Sequence, residues 1–323
     1  MRPKIQHNES LRSYVERCIF LSPPGGSEKT ISDASQFKMT NKNVRAIAEY
    51  LGWSGCYGFN RLIHNHTIYP LKGLFNPDAA DMSYSGDKFH LYKNFIENKE
   101  RSPAFCLRCV KDDISELGFS YWRRLPDFIM VCAKHELKLL YDCPFCGVAL
   151  SDHGAGRGFR SMWEGCQGRK FWELDATYSY VEGGLKPAII FDDMCSFEFC
   201  VPKEFAYPVL LERLTRENLT AQKKGIYLNS HINDLHKSAA RLAMDKQYKY
   251  DGEGISYFIF ECIVLGFDSF ADFVSEVCRL GHELPRVNDT MSTCREKSSV
   301  PIRYRVDGAS RRGGVQPHTS KYV

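Results

Sequence analysis

Cys106-Leu107-Arg108-Cys109 is followed after 22 residues by Cys132-Ala133-Lys134-His135, and after seven more by Cys143-Pro144-Phe145-Cys146-Gly147. A two-residue spacer lets both members of a pair turn back onto one ion. Zinc takes four thiolate or imidazole donors at tetrahedral corners about 2.0–2.3 Å away. Cys106, Cys109, Cys132 and His135 therefore make a complete donor set. A closed shell of this kind leaves no position for water or substrate, which hydrolytic zinc requires, so the expected ion is structural.

The third pair reads as half of a second zinc site, and Gly147 after the second ligand eases the tight turn. Its partners are less determined. Cys166, in Gly165-Cys166-Gln167-Gly168-Arg169, stands where another pair would begin, but position 169 is Arg. Cys195 and Cys200 offer a wider pair, and His153 is a further donor. The second set is assigned as Cys143, Cys146 and Cys166, with its last ligand open. The cofactor expected is Zn2+, once for the first set and a second time if the other set closes.

Working outward, eight of the thirteen cysteines lie between residues 106 and 200. Cys18, Cys56, Cys262, Cys278 and Cys294 stand alone, several beside apolar residues, and are expected to pack as small core groups. An odd cysteine count without an apolar N-terminal stretch points to reduced thiols and a cytoplasmic protein. With 43% hydrophobic and 25% charged residues the composition is that of a globular chain. No window approaches the roughly 18 apolar residues of a membrane span. The net charge of +4 is compatible with nucleic acid without requiring it.

The periodicity divides the chain into a mainly α architecture around a small α+β zinc-knuckle module. Residues 1–105 read as an N-terminal helical domain. Asn8-Glu9-Ser10 offers an N-cap, and Leu11, Tyr14, Val15, Cys18 and Ile19 recur at helical spacing. A second helix from Thr40 or Asn41 carries Val44, Ile47, Ala48 and Leu51 and stops at Gly52. A third starts near Tyr57 with Phe59, Leu62 and Ile63. Short helices joined by a Gly-containing turn fit a helix-turn-helix unit and equally any small helical bundle. Residues 106–204 are the zinc-binding module. Residues 205–287 return to helical spacing, with Val209, Leu210, Leu211 and Leu214 on a helix ending before Asn218, and further helices at 232–243 and 258–280. Residues 288–323 read as a flexible basic tail.

Phe119-Ser120-Tyr121-Trp122-Arg123-Arg124 lies between the first two pairs. Tyr121 and Trp122 read as packing, while Arg123 and Arg124 fit scaffolding and phosphate contact equally. The other candidate DNA contacts are Lys42, Arg45 and Arg61, and later Arg213, Arg216, Lys223 and Lys224.

The order Cys-x-x-Cys, an Asp at 112 or 113, Tyr121-Trp122-Arg123, Cys132-Ala133-Lys134-His135-Glu136-Leu137-Lys138-Leu139-Leu140 and Cys-Pro-x-Cys-Gly resembles the TniQ/TnsD family. These are target-selection proteins of cut-and-paste transposons, CRISPR-associated ones included. Glu9-Ser10-Leu11-Arg12-Ser13-Tyr14 is similar to the family's opening signature, and Leu62 to Leu71 looks like the TnsD branch. Tyr207 to Leu214, with Asn218-Leu219-Thr220, looks like the helical region after the zinc module. The resemblance covers roughly residues 8–275 and departs from the family at Arg169. It implies a non-catalytic protein that marks an insertion target by touching DNA or a guide-RNA-carrying Cascade complex, and recruits a TnsC-like AAA+ ATPase. Homodimerisation is implied for CRISPR-linked members. Two other readings stand beside it. One is a zinc-ribbon DNA-binding transcription regulator. The other is a zinc-associated nuclease using His64 and His66 with Asp81 or Asp87, against which no acid–base or two-metal set assembles.

Overall fold

A computed structural model of the chain describes residues 3–21, 41–76, 89, 103–153, 162, 165–175, 181, 183–220, 229–237 and 253–283. The expected basic tail at 288–323 lies outside them, as do Lys223, Lys224, Asp81, Asp87 and Cys294.

Helix α1 (Leu11–Leu21) is capped by Ser10, whose Oγ accepts the Ser13 N–H at 3.1 Å. Helix α2 (Asn41–Tyr50) ends in a turn in which Trp53 N–H donates to Ala48 O at 2.7 Å and Gly52 N–H to Glu49 O at 2.9 Å. Helix α3 (Gly55–His66) follows, starting two residues before the expected Tyr57. Leu11, Tyr14, Val15, Val44, Ile47, Ala48, Phe59, Leu62 and Ile63 form one buried cluster, as their helical spacing predicts. A short turn thus joins α2 and α3, and α3 is packed by α1, α2 and a later helix, so that little of it faces water.

A short helix α4 (Pro70–Gly73) leads into strand β1 (Phe75–Asn76), which pairs in parallel with β2 (Val201–Pro202). Two helices of the cysteine-rich stretch escape a reading led by metal spacing: α5 (Leu107–Leu117) and α6 (Leu185–Ser196). Helix α7 (Lys203–Thr220) runs past the expected end before Asn218. Residues 229–237 are helical. The single helix expected over 258–280 is two, α8 (Glu253–Gly266) and α9 (Phe270–Glu283). They part at Phe267-Asp268-Ser269, where Ser269 Oγ accepts the Asp272 N–H at 3.1 Å and caps α9. Among the described residues no helix is long and apolar enough to cross a membrane.

The largest apolar core gathers Leu71, Leu74 and Phe75, the thiols of Cys106, Cys109 and Cys132, the inner faces of α6 and α7, and the inner faces of α8 and α9. It draws residues from both sides of positions 105 and 204. A smaller core holds Phe105, Trp122, Cys143, Leu150, Cys166 and Phe171.

The segment before α1 straps these parts together. Glu9 is fully buried and accepts two hydrogen bonds from Arg17, from Nε at 2.9 Å and Nη2 at 2.7 Å. Backbone pairing joins Ser10 N–H to Trp122 O at 2.9 Å and Arg124 N–H to Asn8 O at 3.0 Å. Asn8 also donates to Asp192 of α6 at 3.0 Å, and Tyr121 to the His7 carbonyl at 3.1 Å.

Candidate metal centres

Cys106 is the residue before the first turn of α5, and Cys109 lies within that turn, where helix N-terminal N–H groups favour thiolate. The second half of the site is a tight knuckle. Cys132 N–H donates to Leu137 O and Glu136 N–H to Cys132 O, both at 2.8 Å. Val131 pairs with Lys138, and Glu136 takes the left-handed conformation at φ 60°.

Eleven residues later the same device returns. Cys143 N–H donates to Val148 O and Gly147 N–H to Cys143 O, again at 2.8 Å, Asp142 pairs with Ala149, and Gly147 sits at φ 73°. The knuckles are two copies of one turn, with Glu in the strained position of the first and Gly in that of the second.

Cys106, Cys109, Cys132 and His135 come together with their donor atoms within 4.8 Å of one another. Tetrahedral zinc with bonds of about 2.3 Å to sulfur and 2.05 Å to nitrogen sets sulfurs about 3.8 Å apart and sulfur–nitrogen pairs about 3.5 Å apart. Here Cys109 and Cys132 Sγ are 3.7 Å apart. His135 Nδ1 lies 3.5, 3.3 and 3.8 Å from the sulfurs of Cys106, Cys109 and Cys132. The spacing suits one such ion. Donation from Cys106 and Cys109 holds the Cys132 thiol far below its ordinary range, while sharing with Cys106 and Cys132, aided by burial, drives Cys109 up. A central dication would let all three thiols ionise.

The second cluster joins Cys143, Cys146 and Cys166 with His153, their donor atoms also within 4.8 Å. His153 takes the place that the sequence left open. Cys195 and Cys200 do not contribute: Cys195 is buried in the large core, and Cys200 Sγ faces the Gly73 carbonyl at 3.7 Å. Arg169 is engaged elsewhere. Cys166 and Arg169 exchange two 2.9 Å backbone hydrogen bonds around a turn with Gln167 at φ 53° and Gly168 at φ 76°. The Arg169 guanidinium then lies 4.2 Å over the Phe145 ring, which stacks on Phe171. Burial, then Cys146 and Cys143, pushes the Cys166 thiol up to about 12, whereas the Val148 N–H lowers Cys146.

Arg123 and Arg124 are both engaged by partners within the protein. Arg123 forks onto Asp113 at 2.8 and 3.0 Å, and Asp113 also accepts from Ser120 at 2.9 Å. Arg124 is buried and donates to the Asn8 side chain and the Asn65 carbonyl. Tyr121 and Trp122 are buried as expected. Lys42 and Arg45 are exposed on α2, with Arg45 lying 3.7 Å over Phe89. Arg61 is half-buried against Trp53. Arg213 donates to the Gly266 carbonyl at 2.7 Å and Arg216 pairs with Glu212 at 2.7 Å. His64 and His66 are both buried. His66 Nδ1 donates to the Glu9 carbonyl at 2.8 Å, and burial brings its pKa down to about 3. Of the lone cysteines, Cys18 and Cys262 are buried, Cys56 is half-buried, and Cys278 is exposed, contrary to its expected core role. No protein-family model matches the chain, and no curated protein matches it.

Proposed function

We propose that this chain is a zinc-scaffolded, non-catalytic target-site adaptor of a cut-and-paste transposon, as its resemblance to the TniQ/TnsD family implies. It acts in the cytoplasm, alone or as a homodimer, and couples a TnsC-like AAA+ ATPase to a target reached through DNA or through a Cascade complex. The observation that carries the non-catalytic part is the pair of four-donor clusters. Each is three thiols and one imidazole, a set that zinc favours and that leaves no coordination position open. When bound, the ions would supply rigidity. Cys106, Cys109, Cys132 and His135 would hold the first, and Cys143, Cys146, His153 and Cys166 the second.

Docking on protein is favoured over reading bases. In a DNA-binding helix-turn-helix the second helix enters the major groove. Here α3 buries Gly58, Phe59, Asn60, Leu62, Ile63, His64 and His66, leaving Tyr57, 47% exposed, as its one widely open large side chain.

The test begins with purification from cells carrying the whole transposon operon, followed by metal analysis and identification of co-purifying proteins. Two zinc ions per chain and capture of the AAA+ ATPase or Cascade subunits are expected. DNA affinity should be weak, and a Lys42→Gln/Arg45→Gln variant should bind the ATPase normally. Failure to capture either partner, together with tight DNA binding that falls steeply with salt, would favour the transcription-regulator reading instead.

A further inference from the structure

Helix α5 carries more of the first metal site than its two thiols. Asp112 stands three positions after Cys109, on the same side of the helix. Its Oδ2 lies 3.0 Å from Nε2 of His135, the nitrogen turned away from the thiols, and 2.9 Å from Lys134 Nζ. Nδ1 of the same ring faces all three sulfurs. An imidazole can ligate a metal only through a nitrogen without a proton. A carboxylate at Nε2 keeps the proton there and leaves the Nδ1 lone pair aimed at the cluster.

We infer that Asp112 is the positioning residue that selects the His135 tautomer and holds the ring for ligation through Nδ1. This rests on the reading of Cys106, Cys109, Cys132 and His135 as a metal site. The neighbouring carboxylate has another duty: Asp113, four positions after Cys109, is engaged by Arg123 and Ser120. One helical turn thus presents a metal ligand, the residue that orients another ligand, and an anchor for the chain between them. Carboxylate partners of metal-bound histidines typically govern affinity by about 10–100-fold. Lys134 touches Asp112 rather than the ring, so its contribution should be small. Its side chain is 61% exposed, where an ion pair is weak.

The test uses the full chain loaded with zinc, or with cobalt as a spectroscopic stand-in, against a chelator of known affinity. Asp112→Ala suits the helix, and Asp112 is only partly buried, so folding should survive. First-site affinity should fall by about 10–100-fold, with the cobalt ligand-field bands shifted and the His135 ring tautomer changed in long-range proton–nitrogen spectra. Asp112→Asn, which keeps an acceptor oxygen, should recover part of the loss. Lys134→Met should change affinity by less than about threefold. In a His135→Cys background, Asp112→Ala should have no further effect. A loss of the same size in that background, or wild-type affinity in Asp112→Ala, would overturn the inference while the metal reading stands. A wild-type chain that takes up no ion at this cluster would overturn both.

Discussion

Replacing Arg17 by Met tests the buried pair that fastens the N-terminal strap. Glu9 has no exposed side-chain surface, and Arg17 is 4% exposed. Burial already raises the Glu9 carboxyl above its ordinary 4.5, outweighing the arginine beside it. With the guanidinium gone, the carboxylate keeps the Gln6 N–H at 2.9 Å and the Ser13 hydroxyl at 3.4 Å, and no paired cation. It then has two choices, to stay charged in a dry site or to take up a proton. The second sets a ceiling: protonating a group of pKa 4.5 at pH 7 costs about 3.4 kcal/mol, at 1.36 kcal/mol per unit. Lost packing and the Arg17 bond to the Lys4 carbonyl add a pH-independent part.

The sign follows from proton counting. A carboxyl whose folded pKa is raised binds more protons folded than unfolded, so stability falls as pH rises through the window. The R17M penalty should grow by up to about 1.4 kcal/mol per pH unit above the wild-type pKa of Glu9, and flatten once the variant's Glu9 ionises. Urea unfolding of both proteins at half-unit steps from pH 6 to 8, with zinc in excess, measures it. Pairing R17M with Glu9→Gln should remove the slope. A penalty that is equally large at every pH, or that survives unchanged in the double variant, would refute the charge argument and leave packing alone.

Two further outcomes follow from the backbone and from His66. Gly147→Ala meets no neighbouring atom, so only its φ of 73° is penalised, by roughly 1–2 kcal/mol. Gly165→Ala would place a Cβ 2.1 Å from the Arg169 carbonyl, besides straining φ, and should disrupt the Cys166 turn. Chelator-driven release of the second ion should therefore be much faster in Gly165→Ala than in Gly147→Ala, and equal rates would contradict this. For His66, burial holds the folded pKa near 3, below its ordinary 6.5. The unfolded chain binds the extra proton, so stability is full above about pH 6.5 and is lost as pH falls towards 3, by about 1.4 kcal/mol per unit. His66→Asn can keep the hydrogen bond to the Glu9 carbonyl without titrating, and should show a shallower acid limb in paired unfolding curves than wild type.

The first metal set was legible because its information is local: two pairs with two-residue spacers, read directly from Cys106 to His135. His153 was harder, since it is a lone histidine with no spacer motif, brought in by the turn after Leu150. Helices α5 and α6 were hidden by their company, because a cysteine pair at the start of α5 draws the eye from its periodicity. The arginine roles could not be read, since nothing local marks the partners. Asp113 lies 10 residues from Arg123, and Asn8 lies 116 from Arg124. The burial of α3 had the same cause: its second packing face is supplied by α6, more than a hundred residues downstream. Ser269 was a readable cap signal that the apolar run across it obscured.

The strap before α1 also sets an order of events during synthesis. Asn8 meets Asp192 across 184 residues, and Trp122 N–H reaches Ser13 across 109. The surface on which the first helix docks does not exist until the tyrosine–tryptophan–arginine stretch and α6 have been made. Contacts of such long sequence separation form late and slowly. The strap's contact with α6 therefore cannot close until Asp192 has been made.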